Sequence, residues 1–220
     1  MKKSNIILLA LVLVVCGTFV SLAVALRVKF DHKDYKIAQA FDTEFEDVAA
    51  GAFSVIEAEN LDGIEINQGD RDSIGLPTRP EKRPLYKVVG DTLKLTPGRG
   101  PGNDNIRLTV HDLKGLYIHR VNSCHVYNIQ GDSLYTLVDG GNDISIEGGV
   151  VGSFRLQLSG GGIGVDHITC KTLSLYADSV SRVSLKNCMI ECVRGRWDGR
   201  EQVEMDGGTL SFIQKIERIQ

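Results

Sequence analysis

Phe154-Arg155-Leu156-Gln157-Leu158-Ser159-Gly160-Gly161-Gly162 holds the architecture of the chain in a single stretch. Phe154, Leu156 and Leu158 alternate with Arg155 and Gln157, so a strand here buries one face and wets the other. The three glycines that follow supply a turn. The same pattern recurs in Ile64-Glu65-Ile66, Leu93-Lys94-Leu95, Ile106-Arg107-Leu108-Thr109-Val110, Ile144-Ser145-Ile146, Leu173-Ser174-Leu175 and Leu210-Ser211-Phe212. Turn clusters such as Asp139-Gly140-Gly141-Asn142 and Asp206-Gly207-Gly208 separate these runs. From Phe53 onward the chain reads as all-β.

Spacing turns the strands into a repeat. Ile118, Leu137, Leu156 and Leu175 are evenly spaced, and Ile146/Val165 and Gly141/Gly160 share their interval. Short strands recurring this way predict a β-solenoid of about 19 residues per coil, with coils ~4.8 Å apart and equivalent side chains stacked in ladders. On this reading Ile118, Leu137, Leu156 and Leu175 form one interior column. An antiparallel β-sandwich is the competing architecture. All five prolines lie between residues 77 and 101, and none follows. Proline cannot donate to a ladder, so residues 76–105 read as loops around a short hairpin and the remainder as continuously paired sheet. Glycine, 24 residues of 220, is assigned to corners that need positive φ.

The N-terminus sets the compartment. Lys2 and Lys3 precede Ile6 to Leu26, which carries no charge. As a helix this stretch would reach about 30 Å, the hydrocarbon thickness of a bilayer. It reads either as an uncleaved anchor or as a signal peptide ending at Ala23-Val24-Ala25. Val15 before Cys16 argues against lipidation. Both readings place residues 27–220 outside the cytoplasm, although Arg27, Lys29 and Lys33 run against the positive-inside rule. The expected organisation is an anchor or signal over 1–26, a juxtamembrane linker over 27–50 and a β-solenoid domain over 51–220. In the linker, Phe41, Phe45 and Val48 are spaced for one face of a short helix. Twenty-five basic residues against 28 acidic ones give a net charge of −3, without the basic excess of a nucleic-acid binder.

Several segments taken in order carry a family resemblance. Phe53-Ser54-Val55-Ile56 leads into Gly63-Ile64-Glu65-Ile66-Asn67-Gln68-Gly69-Asp70. Gly90-Asp91-Thr92-Leu93-Lys94-Leu95-Thr96 follows, and later Leu156-Gln157-Leu158-Ser159-Gly160-Gly161-Gly162-Ile163-Gly164. Over about residues 53–213 this order resembles the auto-transporter adhesin, head-GIN domain family of bacterial envelope proteins. The resemblance implies a right-handed parallel β-helix-like fold, an envelope or cell-surface location and an adhesive role. It supplies no catalytic residue. The segment from Asn187 to Glu201 departs from the family pattern.

One surface segment stands out as a candidate site. In Arg194-Gly195-Arg196-Trp197-Asp198-Gly199-Arg200 the single Trp stands among three arginines, on an expected loop outside the repeat. Trp and Arg dominate binding hot spots, so Arg194, Arg196, Trp197 and Arg200 are the candidate ligand contacts; alternatively the Trp folds back over the stack. His167, Cys170, Cys188 and Cys192 have zinc-like spacing but fall on strands, and no metal or cofactor is expected. Cys124, Cys170, Cys188 and Cys192 suit buried interior thiols, with a Cys170–Cys188 disulfide as the alternative. His111, His119 and His125 have no serine or carboxylate at a nucleophile spacing. The function expected is a membrane-anchored, non-catalytic binding or adhesion module for an unknown surface glycan or protein. The alternative is a small polysaccharide-active enzyme, with Asp139 and Asp143, or Asp198 and Glu201, as its only carboxylate pairs.

Overall fold

The computed structural model describes residues 45–80, 83–98, 105–178, 180–197 and 203–218. The chain divides into two units, residues 1–43 and 44–220, and every described residue belongs to the second. The expected anchor at residues 6–26 lies outside the described residues. Among the described residues, no helix is long and apolar enough to cross a membrane.

The described chain is mostly β. Thirteen strands join in one mixed sheet: β1 (Phe45–Ala49), β2 (Val55–Glu59), β3 (Gly63–Gln68), β4 (Ser73–Pro77), β5 (Leu85–Val89), β6 (Thr92–Thr96) and β7 (Asn105–Val110) come first. β8 (Gly115–Ser159), β9 (Gly162–Ala177), β10 (Arg182–Lys186), β11 (Met189–Trp197) and β12 (Val203–Met205) follow, then helix α1 (Gly207–Phe212) and β13 (Lys215–Arg218). A straight strand of β8's 45 residues would extend about 150 Å. It bends instead, at the positive-φ residues Arg120, Asn128, Gly140 and Gly148.

Parallel pairing carries the repeat. Ile144 pairs with Ile163, Val151 with Cys170 and Leu156 with Leu175, each at a sequence offset of 19. From β9 to β10 and β11 the offset becomes 20: Ile163 pairs with Val183, and Leu175 with Gly195. The bends keep the same step. Arg120, Gly140 and Gly160 share positive φ at intervals of 20, and so do Asn128, Gly148, His167 and Asn187 at intervals of 20, 19 and 20. Corners are therefore not a glycine monopoly: Asn, Arg and His adopt the left-handed region there.

The mixed 19/20 step corrects the predicted column. Leu156 stacks on Leu175 as expected, and both are fully buried. Leu137 is half-buried and stands between the buried Thr136 and Val138, so it faces outward. Ile118 is buried but pairs with Ala58. Because side chains alternate, a position one residue off the paired register faces the other way. Thr136, not Leu137, points into the core.

The start of the sheet does not follow chain order. β2 pairs with β6 on one side and with the opening of β8 on the other; β3 is likewise flanked by β7 and β8. The β2/β3 layer is thus sandwiched between two segments that come later in sequence. The expected hairpin is β5–β6, antiparallel, turning at Gly90 with φ +64°. Pro77 ends β4. Two other expectations fail. Phe45–Ala49 is not helical but strand β1, antiparallel to β4, with the Arg107 guanidinium 5.0 Å over the Phe45 ring. Leu210-Ser211-Phe212, expected as a strand, lies instead in helix α1 (Gly207–Phe212). Asp206 caps it by accepting the Thr209 N–H at 2.7 Å, and Thr209 is buried whereas Leu210 and Phe212 are half exposed. β13 pairs with β11 in parallel register and puts a charged strand on that edge.

Candidate ligand-binding face

Strand alternation positions the site. Arg155 stands between the buried Phe154 and Leu156, and Tyr176 between Leu175 and Ala177. Arg194 and Arg196 flank the buried Gly195. Burying the apolar set compels these residues outward together. Register aligns them across strands: Arg155 and Arg194 both lie opposite Ser174, and Gln157 and Arg196 both lie opposite Tyr176.

Arg155 is the centre of the array. Its guanidinium lies 5.5 Å over the Tyr135 ring and 5.2 Å over the Tyr176 ring. Tyr135 donates to Gln157 Oε1 at 3.1 Å and meets Tyr117 edge-on, with ring centroids 5.4 Å apart. Arg194 Nε donates to Ser174 Oγ at 3.0 Å. The surface is a ladder of aromatic rings and guanidinium groups running across successive strands. Stacking fixes side chains that would otherwise lose about 1.5–2 kcal/mol of rotamer freedom on binding. Beside Tyr117 a cavity of about 670 Å³ opens, walled by Glu57, Glu59, His119 and Leu137.

The predicted contacts divide. Arg194 and Arg196 belong to this face, on strand β11 rather than on a loop. Trp197, also on β11, pairs with Ala177 and is 9% exposed. Arg200, Asp198 and Glu201 lie outside the described residues. The sequence reading missed Tyr117, Tyr135, Arg155 and Tyr176. The available signal was an aromatic or Arg at outward strand positions near each repeat interval, from Tyr135 to Arg155 to Tyr176.

Acid–base candidates have other partners. His119 Nδ1 contacts Asp139 at 2.7 Å, while Asp143 lies 3.5 Å from His125 Nε2, so Asp139 and Asp143 serve different histidines. Glu57 pairs with Lys94 at 2.7 Å and Glu59 with Arg120 at 3.8 Å. Contrary to the sequence reading, serines and carboxylates do reach His125. Ser123 Oγ lies 2.9 Å from Nε2, Ser145 Oγ 2.8 Å from Nδ1, and Ser145 donates to Glu147 at 3.1 Å. The Ser123 N–H, however, is committed to the Asp62 carbonyl at 3.0 Å. A nucleophilic serine commonly uses its own N–H for oxyanion stabilisation, and here that donor is engaged.

The cysteines sit apart from these groups. Cys170 pairs with Ile190, not with Cys188, and all four described cysteines are free thiols. Burial pushes the Cys124 and Cys170 thiols up to about 12. Among the described residues, no three His, Cys, Asp or Glu side chains converge as a metal site.

The sequence matches a known family. A profile described as "Putative auto-transporter adhesin, head GIN domain" matches residues 52–206. The chain belongs to this family. The match spans β2 to β12, so the head GIN domain includes the whole Tyr–Arg face. Among solved structures, a protein titled "putative adhesin" from Bacteroides fragilis NCTC 9343 shares the fold. It is 13% identical, covers 80% of this chain and 96% of its own, and has a TM-score of 0.50. Another titled the same way, from Parabacteroides merdae ATCC 43184, is 12% identical with coverages of 80% and 95% and a TM-score of 0.33. A "Putative lipid binding protein" from Parabacteroides distasonis ATCC 8503 is 14% identical, with coverages of 80% and 96% and a TM-score of 0.33. No curated protein matches the head GIN domain of this chain.

Proposed function

We propose that this head GIN domain is a non-catalytic module that binds a surface ligand, a glycan or a protein, outside the cytoplasm. Residues 6–26 anchor it to a membrane, and its parallel strand runs wind a right-handed β-solenoid that carries Arg194, Arg196 and the Tyr–Arg ladder on one flank. The family description supports adhesion and an extracytoplasmic place. The uncharged stretch from Ile6 to Leu26 supports the anchor. Parallel pairing at offsets of 19 and 20 supports the winding.

The observation that carries the binding assignment is Arg155 held between Tyr135 and Tyr176 on an exposed face. An exposed aromatic–cation stack has no core to fill, and such side chains dominate binding hot spots. Adhesion of beads coated with the full chain to bacterial and host cell surfaces tests the assignment. Simultaneous Tyr135→Ala and Tyr176→Ala substitution is expected to abolish adhesion while leaving the circular dichroism spectrum intact. Undiminished adhesion of that variant overturns the choice of face. Extraction of the chain from membranes by alkaline carbonate would overturn the anchor, and an electron-density map with antiparallel pairing across residues 115–197 would overturn the solenoid.

A further inference from the structure

We propose that the Tyr–Arg ladder binds a linear, carboxylated polysaccharide, a polyuronate-type chain, lying across the strands with its carboxylates on Arg155, Arg194 and Arg196. The inference rests on the binding face proposed above and names its ligand class.

Arg155 motivates it. Tyr135 and Tyr176 cover the guanidinium, but none of its N–H donors is engaged by an acceptor among the described residues, and no carboxylate there pairs with it. Arg196 is also without an ion pair among those residues, and the hydrogen bond of Arg194 goes to a neutral hydroxyl, Ser174 Oγ. Elsewhere the outward cations Lys94 and Arg107 meet Glu57 and Glu65 on neighbouring strands. The ladder thus holds three exposed guanidinium groups, Arg155 and Arg194 in one register row and Arg196 in the next, offset only in part by Glu217, which lies opposite Arg194. A guanidinium fork matches a planar carboxylate in bidentate fashion, and a pre-stacked one loses little freedom when it binds.

Ring and spacing choose the remaining chemistry. Tyrosine faces stack on the C–H surface of a pyranose, which a simple anion lacks. Adjacent strands lie ~4.8 Å apart, close to the length of one hexose residue in an extended chain, so successive sugars meet successive strands. The ladder crosses several strands, which suits a polymer better than a single sugar. A nucleic acid would offer similar charge and stacking, but the chain's net charge of −3 opposes it.

The test immobilises the full-length chain and compares polygalacturonate with its methyl ester, which keeps the sugar and removes the charge. Polygalacturonate is expected to bind at least about tenfold more tightly, and to weaken as salt rises. Arg155→Gln should cost about tenfold with polygalacturonate and little with the ester, and Arg155→Lys should restore only part of the loss. Each variant is checked for native circular dichroism, and Lys171→Gln, outside the ladder, serves as the folded control. Equal binding of acid and ester overturns the inference and leaves the binding face standing. Equal affinity for dextran sulfate, unaffected by Arg155→Gln, marks unspecific charge attraction and overturns it too. If neither polymer binds while the Tyr135/Tyr176 variant still loses cell adhesion, the ligand class is wrong and the face is right. If adhesion also survives, the face itself is wrong.

Discussion

Thr136 and Leu137 are neighbours that point in opposite directions: the threonine is fully buried, whereas the leucine lines the cavity beside Tyr117. The Thr136 hydroxyl has no hydrogen-bond partner among the described residues. A buried unsatisfied hydroxyl costs about 1–3 kcal/mol, and valine has nearly the same shape. Thr136→Val is therefore expected to stabilise the domain by about 1 kcal/mol. A urea midpoint that falls, or does not move, refutes the inward placement.

Gly195 is the least replaceable glycine on the binding flank. Its φ is +145°, and an added Cβ would stand 1.8 Å from the Leu175 carbonyl oxygen. Backbone cannot yield as a flexible side chain can. Gly195→Ala should lower stability by about 3 kcal/mol or more and misalign Arg194 and Arg196. Gly131→Ala, with only Asp112 Oδ1 at 3.9 Å, should be close to neutral. Equal denaturation midpoints for the two variants would contradict this account.

Asp206 links the last helix to acidity. Hydrogen bonds from Thr209, first its side chain and then its N–H, together with the Asn187 N–H, hold the carboxyl below its ordinary value. A folded-state value below the unfolded one contributes stability at any pH above the unfolded carboxylate value, near 4, and that contribution disappears as pH falls through the folded value. Protection of the Leu210 amide, whose N–H bonds to the Asp206 carbonyl, should fall in that acid window once the pH dependence of intrinsic exchange is divided out. In Asp206→Ala the exchange should be fast at neutral pH and lose this acid dependence. A wild-type pattern in the variant would show that the cap does not hold α1.

Thiol chemistry offers a fourth check. Cys124 and Cys170 are buried with values of about 12, so almost no thiolate forms at neutral pH. Cys192 is partly exposed. Iodoacetamide should label Cys192 in the native protein and reach Cys124 and Cys170 only after unfolding, as read by peptide mass mapping. Rapid native labelling of Cys124 would mean that the interior is open.

Much of the fold was legible from alternation alone. The runs at Ile64–Ile66, Ile144–Ile146 and Phe154–Leu158 needed no tertiary information, because a half-buried strand writes its two faces directly into sequence. Phase was harder. A strictly uniform step fits Leu156 on Leu175 but places Leu137 inside, because the slip by a single position shows only where partners actually pair. Helix α1 was hidden for a related reason: Leu210-Ser211-Phe212 mimics a strand, while the deciding contacts are the Asp206 cap and the buried Thr209. Arg194 and Arg196 stood out beside the only Trp, yet the centre of the array did not. Tyr135, Arg155 and Tyr176 are unremarkable one at a time and become a site only when two bent runs of β8 and one of β9 bring them together.

The interleaving of β2 and β3 bears on how the chain can be made. A growing polypeptide could finish most stacked folds by adding each new layer to an exposed end. Here Val55 has Thr92 on one side and Gly115 on the other, so the earliest layer stays half-covered until a much later part of the chain has been synthesised. Closing such long loops is slow compared with local pairing. While it waits, an unpartnered edge that includes Ile56 and Ile64 is open to pairing with other chains. The β2/β3 layer, rather than the parallel pairs that follow, is therefore the part of the sheet left longest with an open edge during synthesis.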